Sequence, residues 1–239
     1  MQSSHPTSNI RNSKSYAIIV AGGSGSRMQS VLPKQFIALS GKPVLMHTLS
    51  VFHNSLSSPQ IILVLHAGYH GLWAELCAKH NFTIPHTLIA GGQTRFHSVK
   101  NAIDLITDKD VLIAVHDAVR PMVTADIIDR AYQCAADKGT AVTAVKSRDS
   151  VRQVTDDVSF AVNRDSIYLV QTPQTFQSAL LKQAYQQPYA DNFTDDASVV
   201  EQSGVKITLV EGSYSNIKIT FPEDITIAEA LINKNSHQR

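Results

Sequence analysis

Ile18-Ile19-Val20-Ala21-Gly22-Gly23-Ser24-Gly25-Ser26-Arg27-Met28 decides how this chain is to be read. Its opening β-branched run is the pattern of a buried strand. The run passes directly into Gly22, Gly23 and Gly25, and the first cation after them is Arg27. Glycine reaches backbone angles that other residues avoid, so such a turn can aim several backbone N–H groups at a phosphate. Leu32-Pro33-Lys34-Gln35-Phe36 then brings a second cation, Lys34. A glycine cradle followed by two cations suits a triphosphate. Two familiar phosphate motifs are excluded. A P-loop needs Gly-Lys-Ser/Thr where Ser26-Arg27-Met28 stands. A dinucleotide fingerprint needs a third glycine where Met28 stands, and an acid further on where His47 to Ser50 offer none.

Working outward, apolar runs alternate with helical patterns. Strands are expected over Ala17–Val20, Ile61–Leu65, Thr87–Ala90, Val111–Val115, Ala141–Val145, Ile207–Val210 and Asn216–Thr220. Phe96, Val99, Ile103 and Ile106 recur at helical spacing, as do Ile127, Ile128, Ala131, Tyr132 and Ala135. Thr124 suits the N-cap of the latter helix and Gly139 its C-terminal stop. The alternation predicts an α/β fold, a mostly parallel Rossmann-like sheet with helices on both faces, whose ligands bind beyond the carboxyl ends of the strands. Residues 146–167 break the rhythm. Val151/Val154 and Phe160/Val162 flank Thr155-Asp156-Asp157, the pattern of a projecting β-hairpin arm that would embrace a second subunit. A single domain is expected over 16–235, with 1–15 as a disordered tail.

Composition bounds the function. At 239 residues, 43% hydrophobic and 17% charged, the chain is an ordinary globular one. A formal net charge of +1 gives no reason to expect nucleic acid, and no apolar run is long enough to span a membrane. Cys77 and Cys134 lie in apolar helical patterns without metal-ligand spacing, as reduced core cysteines of a cytoplasmic protein would.

Further clusters carry the chemistry. His116-Asp117-Ala118-Val119-Arg120-Pro121 follows a strand expected to be central. Asp117 either caps that turn and pairs with Arg120, or holds a metal or a substrate hydroxyl, and its position favours the second. His116 has no partner histidine and is expected to pack or hydrogen-bond. Gly91-Gly92-Gln93-Thr94-Arg95-Phe96-His97-Ser98 is a second glycine turn opening a helix, whose N–H groups and Ser98 hydroxyl could read a base or ribose. Asn163-Arg164, Gln171-Thr172-Pro173-Gln174, Thr194-Asp195-Asp196-Ala197 and Asn216-Ile217-Lys218-Ile219-Thr220 complete the set. The lysine of an apolar strand can face solvent, but in a sheet buried on both faces Lys218 reads as functional.

In this order the clusters resemble the 2-C-methyl-D-erythritol 4-phosphate cytidylyltransferases, over Tyr16 to about Asn233. The resemblance implies a nucleotidyltransferase fold, a homodimer with interlocked arms, and CTP and a polyol phosphate as substrates. Mg²⁺ or another divalent ion is expected on chemical grounds, being hard, oxygen-preferring and able to bridge phosphates with few protein carboxylates, of which Asp117 is the candidate. The resemblance assigns Ala21, Gly22, Gly23, Ser24 and Gly25 to the CTP phosphates, and Gly91, Gly92 and Ser98 to cytosine or ribose. Arg27 and Lys34 would stabilise the transition state. Arg164 from the partner's arm and Lys218 would position the sugar phosphate. Asp117, Ala118, Arg120, Ser150, Thr172 and Thr194 would line the same cleft. Ser150 stands where the family more often has threonine, and Gln93 where an acid is common. The rivals are the ribitol 5-phosphate cytidylyltransferases and, from another class, a non-catalytic nucleotide-binding dimer.

Overall fold

Residues 14–22 and 32–236 are described by the structure, a computed structural model. Of the expected site, Gly23, Ser24, Gly25 and Arg27 lie outside the described residues, as does most of the expected amino-terminal tail. In chain order the strands are β1 (Ser15–Ala21), β2 (Ala38–Leu39), β3 (Lys42–Pro43), β4 (Gln60–Leu65), β5 (Thr87–Ala90), β6 (Leu112–Asp117), β7 (Thr140–Lys146), β8 (Val151–Thr155), β9 (Val158–Val162), β10 (Tyr168–Gln177) and β11 (Leu209–Glu211). The helices are α1 (Val44–His53), α2 (His70–Lys79), α3 (Arg95–Leu105), α4 (Ala125–Lys138), α5 (Ser178–Ala184), α6 (Asp196–Gln202) and α7 (Glu223–Ser236).

A seven-stranded sheet runs in the order β11-β7-β10-β6-β1-β4-β5. β1 pairs in parallel with β4 and β6, β4 with β5, and β7 with β11. The expected mostly parallel α/β sheet is therefore present. Its apolar runs are continuous because each strand is buried twice, alternate side chains entering opposite layers. Ala17, Ile19 and Ala21 of β1 join Ile61, Leu63 and Leu65 of β4 in one core, beneath α1, α2 and α4. Tyr16 and Ile18 join Ile62 and Val64 in the other, beneath α3, α5 and α6. A third cluster, with Leu39, Val44, Val119, Ile219 and Ala228, seats α7 against the β2–β3 hairpin. Both cysteines are free and half-buried, packed on the first core.

Local signals act as read at α4. The Thr124 side chain accepts the Ile127 N–H, and Gly139 follows the last turn at φ +88°, its N–H on the Ala135 carbonyl. Three expectations need correction. The stretch expected as a strand at Asn216–Thr220 joins no strand, and it touches the turn after β6 through the Ile219 N–H on the Val119 carbonyl. Conversely, Tyr168–Gln177, read only as a motif, is β10, lying antiparallel between β6 and β7. Proline breaks strand ladders, and here Pro173 sits where the β10–β7 register shifts, after a cis peptide bond from Thr172. Finally, β1 takes in Ser15, which was expected to belong to the tail.

β8 and β9 form the expected hairpin, separate from the main sheet. Val151 faces Val162, Gln153 faces Phe160 and Thr155 faces Val158, so Val151, Val158, Phe160 and Val162 share one surface of the ribbon. Phe160 and Val158 are more than half exposed there.

Candidate active site

β1, β5 and β6 all point their carboxyl ends at one cleft of about 210 Å³. Its polar lining is Gly22, Lys34, Gly92, Gln93, Thr94, Arg95, Ser98, Asp117 and Lys218. Lys34 comes from a short 3₁₀ turn, Lys34–Phe36, anchored beneath it: buried Gln35 donates to the Ala21 carbonyl at the end of β1 (3.1 Å), and Phe36 enters the first core. Leu-Pro-Lys-Gln-Phe thus works as a foot in the core with the cation above it.

On the β5 side, the Gly91 N–H bonds the Leu65 carbonyl (3.0 Å) and the Gly92 N–H bonds Ser98 Oγ (3.0 Å). Ser98 Oγ donates in turn to the Thr94 carbonyl (2.9 Å). The Ser98 hydroxyl hydrogen is therefore committed to shaping the turn. A Cβ on Gly92 would meet His97 Cβ at 2.5 Å and its carbonyl carbon at 2.9 Å, so only glycine fits. Thr94 caps α3, its hydroxyl accepting the His97 N–H.

Asp117 is the centre of charge. Its Oδ2 lies 2.9 Å from Lys218 Nζ and 3.5 Å from Arg120 Nε, and its Oδ1 lies 3.8 Å from Arg95 Nε. Burial by itself would raise the carboxyl pKa. The charges of Arg95 and Lys218, the Lys218 hydrogen bond and Arg120 outweigh burial and hold Asp117 well below the usual carboxylate range. Asp117 thus pairs with Arg120, as one expectation had it, and it lines the cleft.

Arg95 reaches further. Its Nη1 and Nη2 grip both oxygens of fully buried Asp196 at 2.9 and 2.6 Å, and the Tyr185 hydroxyl donates to Asp196 Oδ1 at 2.7 Å. Burial favours neutral arginine, but Asp196 and then Asp117 overcome it and raise the Arg95 pKa. Sequence reasoning placed Arg95 and Asp196 inside motifs without giving either a role. The available signal was their position, each in the first turn of a helix capped by a polar side chain. Gln174 joins the same motifs, donating to Asp195 Oδ2 (2.8 Å) and accepting the Ala197 N–H (2.8 Å).

A second lattice holds the cleft's far wall. Asn216, fully buried, donates to Gln171 Oε1 (3.2 Å) and the Thr172 carbonyl (2.9 Å), while Arg120 Nη1 donates to the Asn216 carbonyl (2.8 Å). Gln171 Nε2 continues to the Ser213 carbonyl (2.8 Å). Lys218 follows two residues later on a segment fixed at both ends.

Other expected residues stand elsewhere. Ala118 is fully buried, its N–H on the Val20 carbonyl and its carbonyl accepting from Thr48. Thr172 is buried behind Asp117. Thr194 is exposed beside α6, its N–H on Ser198 Oγ. Ser150 and Arg164 are exposed at the base of the arm, outside the cleft's lining, with Arg164 Nη1 3.3 Å from the Arg148 carbonyl. Among the described residues no group of three or more His, Cys, Asp or Glu is arranged to hold a metal ion, and no helix is long and apolar enough to cross a membrane.

A family model for 2-C-methyl-D-erythritol 4-phosphate cytidylyltransferase matches residues 15–234. A protein of that name from Bacteroides thetaiotaomicron is 49% identical over 219 residues, 92% of this chain and 100% of its own length. Another, from Porphyromonas gingivalis, is 46% identical over 220 residues, 92% and 98% of the two chains. Among solved structures, a 4-diphosphocytidyl-2C-methyl-D-erythritol synthase from Anaerococcus prevotii superposes with a TM-score of 0.79 at 30% identity, covering 92% of this chain and 96% of that one. The 2-C-methyl-D-erythritol 4-phosphate cytidylyltransferase of Thermus thermophilus gives 0.73 at 29% identity, covering 92% and 98%.

Proposed function

The chain belongs to the 2-C-methyl-D-erythritol 4-phosphate cytidylyltransferase family, and on that premise we propose that it transfers the cytidylyl group of CTP to 2-C-methyl-D-erythritol 4-phosphate. The products are 4-diphosphocytidyl-2-C-methyl-D-erythritol and pyrophosphate, in the non-mevalonate route to isoprenoid precursors. One observation carries this reading to the residues: Lys34, Arg95, Asp117 and Lys218 line the same cleft as Gly22 and Gly92, at the strand tips.

In the reaction a phosphate oxygen of the acceptor attacks the α-phosphorus of CTP in line, and the bond to the pyrophosphate oxygen breaks. Two polyanions must be held in contact while charge builds on the reacting centre, so fixed cations supply the catalysis and no covalent nucleophile is needed. Lys34 takes the developing charge on the α-phosphate, with Arg27, which lies outside the described residues, as its companion from the glycine loop. Gly22 to Gly25 wrap the triphosphate, and Gly91, Gly92 and Ser98 form the base and ribose wall. Lys218, Arg120 and Asp117 serve the acceptor side, with Thr172 supporting Asp117 from behind and Thr194 at the rim. Mg²⁺ suits this donor set, because phosphates supply most of its ligands and Asp117 can supply a carboxylate; bound there, it would neutralise the triphosphate.

The arm extends the proposal to a homodimer. Val151, Val158, Phe160 and Val162 present an apolar face with little beneath it, and a second copy is its natural cover. The partner subunit's Arg164 would then reach the acceptor phosphate. Both substrates are water-soluble phosphates, in keeping with a cytoplasmic enzyme. Pyrophosphate release, measured with four nucleoside triphosphates against 2-C-methyl-D-erythritol 4-phosphate and ribitol 5-phosphate, tests the whole. Release is expected with CTP and the methylerythritol substrate; turnover confined to ribitol 5-phosphate, or none at all, rejects it.

A further inference from the structure

Asp117 and Arg120 leave β6 on a turn, and a buried imidazole spans that turn. His116 is wholly inaccessible, its ring edge-on to Phe52 with centroids 4.8 Å apart. Its Nε2 lies 3.2 Å from the Arg120 carbonyl oxygen and its Nδ1 lies 3.0 Å from Thr172 Oγ1. A carbonyl can only accept, so Nε2 carries the proton and Nδ1 is bare. The Thr172 hydroxyl must then donate to Nδ1, while its oxygen accepts the Asp117 backbone N–H at 3.1 Å. A single directed chain of hydrogen bonds results, from Asp117 N–H through Thr172 and His116 to the Arg120 carbonyl. It closes a loop around the turn and ties that turn to β10.

We propose that His116 is a positioning residue of the cytidylyl transfer, fixing the Asp117–Arg120 turn through the Arg120 carbonyl and the Thr172 hydroxyl. Thr172 acts in the same chain: its hydrogen is committed to His116 while its oxygen takes the Asp117 N–H, so it holds the turn from behind Asp117. This inference rests on the assignment of Asp117 and Arg120 to the acceptor side of the cleft.

Two observations support it. Packing against Phe52 needs only an apolar ring, whereas both imidazole nitrogens here make directed bonds. The turn also has a matching restraint on its other side, where Arg120 Nη1 holds the Asn216 carbonyl. Catalytic groups displaced by about 1 Å lose roughly a hundredfold in rate, so such a clasp is kinetically visible.

The test is two-substrate kinetics on the full-length chain, with urea unfolding of each variant. His116→Phe keeps the ring and removes both bonds; His116→Gln can keep a donor to the Arg120 carbonyl; Thr172→Val and Thr172→Ser remove and keep the hydroxyl; Asp117→Asn is the reference for the site. The expected result is that His116→Phe and Thr172→Val lower kcat/KM for the acceptor phosphate by about tenfold to a hundredfold, with KM for CTP within about twofold. His116→Gln and Thr172→Ser recover a large part. The proposal is overturned if His116→Phe keeps its acceptor kcat/KM while Asp117→Asn loses it. It is overturned too if Phe and Gln lose all constants in parallel with their stability, with no recovery in Gln. Unchanged kinetics in Asp117→Asn would reject the acceptor-side assignment itself, and this inference with it.

Discussion

Lys218 Nζ rests 2.9 Å from Asp117 Oδ2, joining a segment that enters no sheet to the tip of a central strand. The ammonium is about two-fifths exposed and the carboxylate nearly buried, so the cation can turn to an arriving phosphate while Asp117 keeps Arg95 and Arg120. Lys218→Ala should lower kcat/KM for the acceptor by about 10² and leave KM for CTP nearly unchanged. Initial-rate measurements with each substrate varied will show the split; equal losses toward both substrates would place Lys218 on the nucleotide instead.

Lys34 stands on a rigid foot, Gln35 bound to the Ala21 carbonyl and Phe36 in the core, so its removal should leave the fold intact. Lys34→Ala and Arg27→Ala are each expected to lower kcat by about 10²–10³, or roughly 3–4 kcal/mol of transition-state stabilisation. Single-turnover rates with saturating substrates measure this. A variant with unaltered turnover loses its assigned role.

Asp196 is the buried end of the Arg95 fork and also receives the Tyr185 hydroxyl. Asp196→Ala leaves a guanidinium and a phenol without that partner, and about 3–5 kcal/mol of destabilisation is expected. The double substitution Arg95→Met with Asp196→Leu removes both charges and should recover much of that stability without recovering activity. Urea midpoints and pyrophosphate release on the same samples separate the two effects.

His116 sets an acid limit. Its folded pKa of about 3 lies below the ordinary histidine value near 6.5, so the unfolded chain takes up the proton first as pH falls. The stabilisation is complete above pH ~6.5 and is lost progressively as pH drops toward 3, amounting to about 2 kcal/mol by pH 5. His47, whose pKa burial also lowers, acts in the same direction. The difference in stability between pH 7.5 and pH 5 should therefore shrink by about 2 kcal/mol in His116→Gln relative to the parent. Asp117, held well below the carboxylate range, contributes only at lower pH, outside this window.

The apolar face of the β8–β9 ribbon predicts assembly. Phe160→Asp puts a charge at its centre and should shift the protein to monomer in sedimentation velocity, with acceptor turnover lost and nucleotide binding kept. Arg164→Ala should leave the oligomer intact and weaken only acceptor use. A parent protein that sediments as a monomer would reject the proposed dimer.

Much of this architecture was legible in the chain. A strand buried on both faces must be apolar throughout, so runs such as Ile61–Leu65 announced themselves, and the helical spacing of Ile127 to Ala135 announced α4. The glycine turns and the charged clusters were visible as well, since each is a local demand on the backbone or a local gathering of polar residues. β10 was concealed by Pro173 and by its polar run Gln171 to Gln174, whose side chains are buried against partners from distant segments: Asn216 for Gln171, His116 for Thr172 and Asp195 for Gln174. Lys218 was placed on an expected strand and instead occupies a segment held by side-chain bonds.

By itself, then, the sequence determined most of the buried strands and helices, where the chain turns, and which family it joins, because these follow from apolar runs, periodicity, glycine and ordered motifs. The tertiary structure alone decided which polar atoms meet: that Asp117 gathers Arg95, Arg120 and Lys218, that Ser98 and Thr172 shape turns with their hydroxyl hydrogens, and that His116 bridges two of the motifs. Periodicity states only that a side chain points inward. A hydrogen bond is set to within tenths of an ångström by the packing of distant segments, and no single segment contains that information.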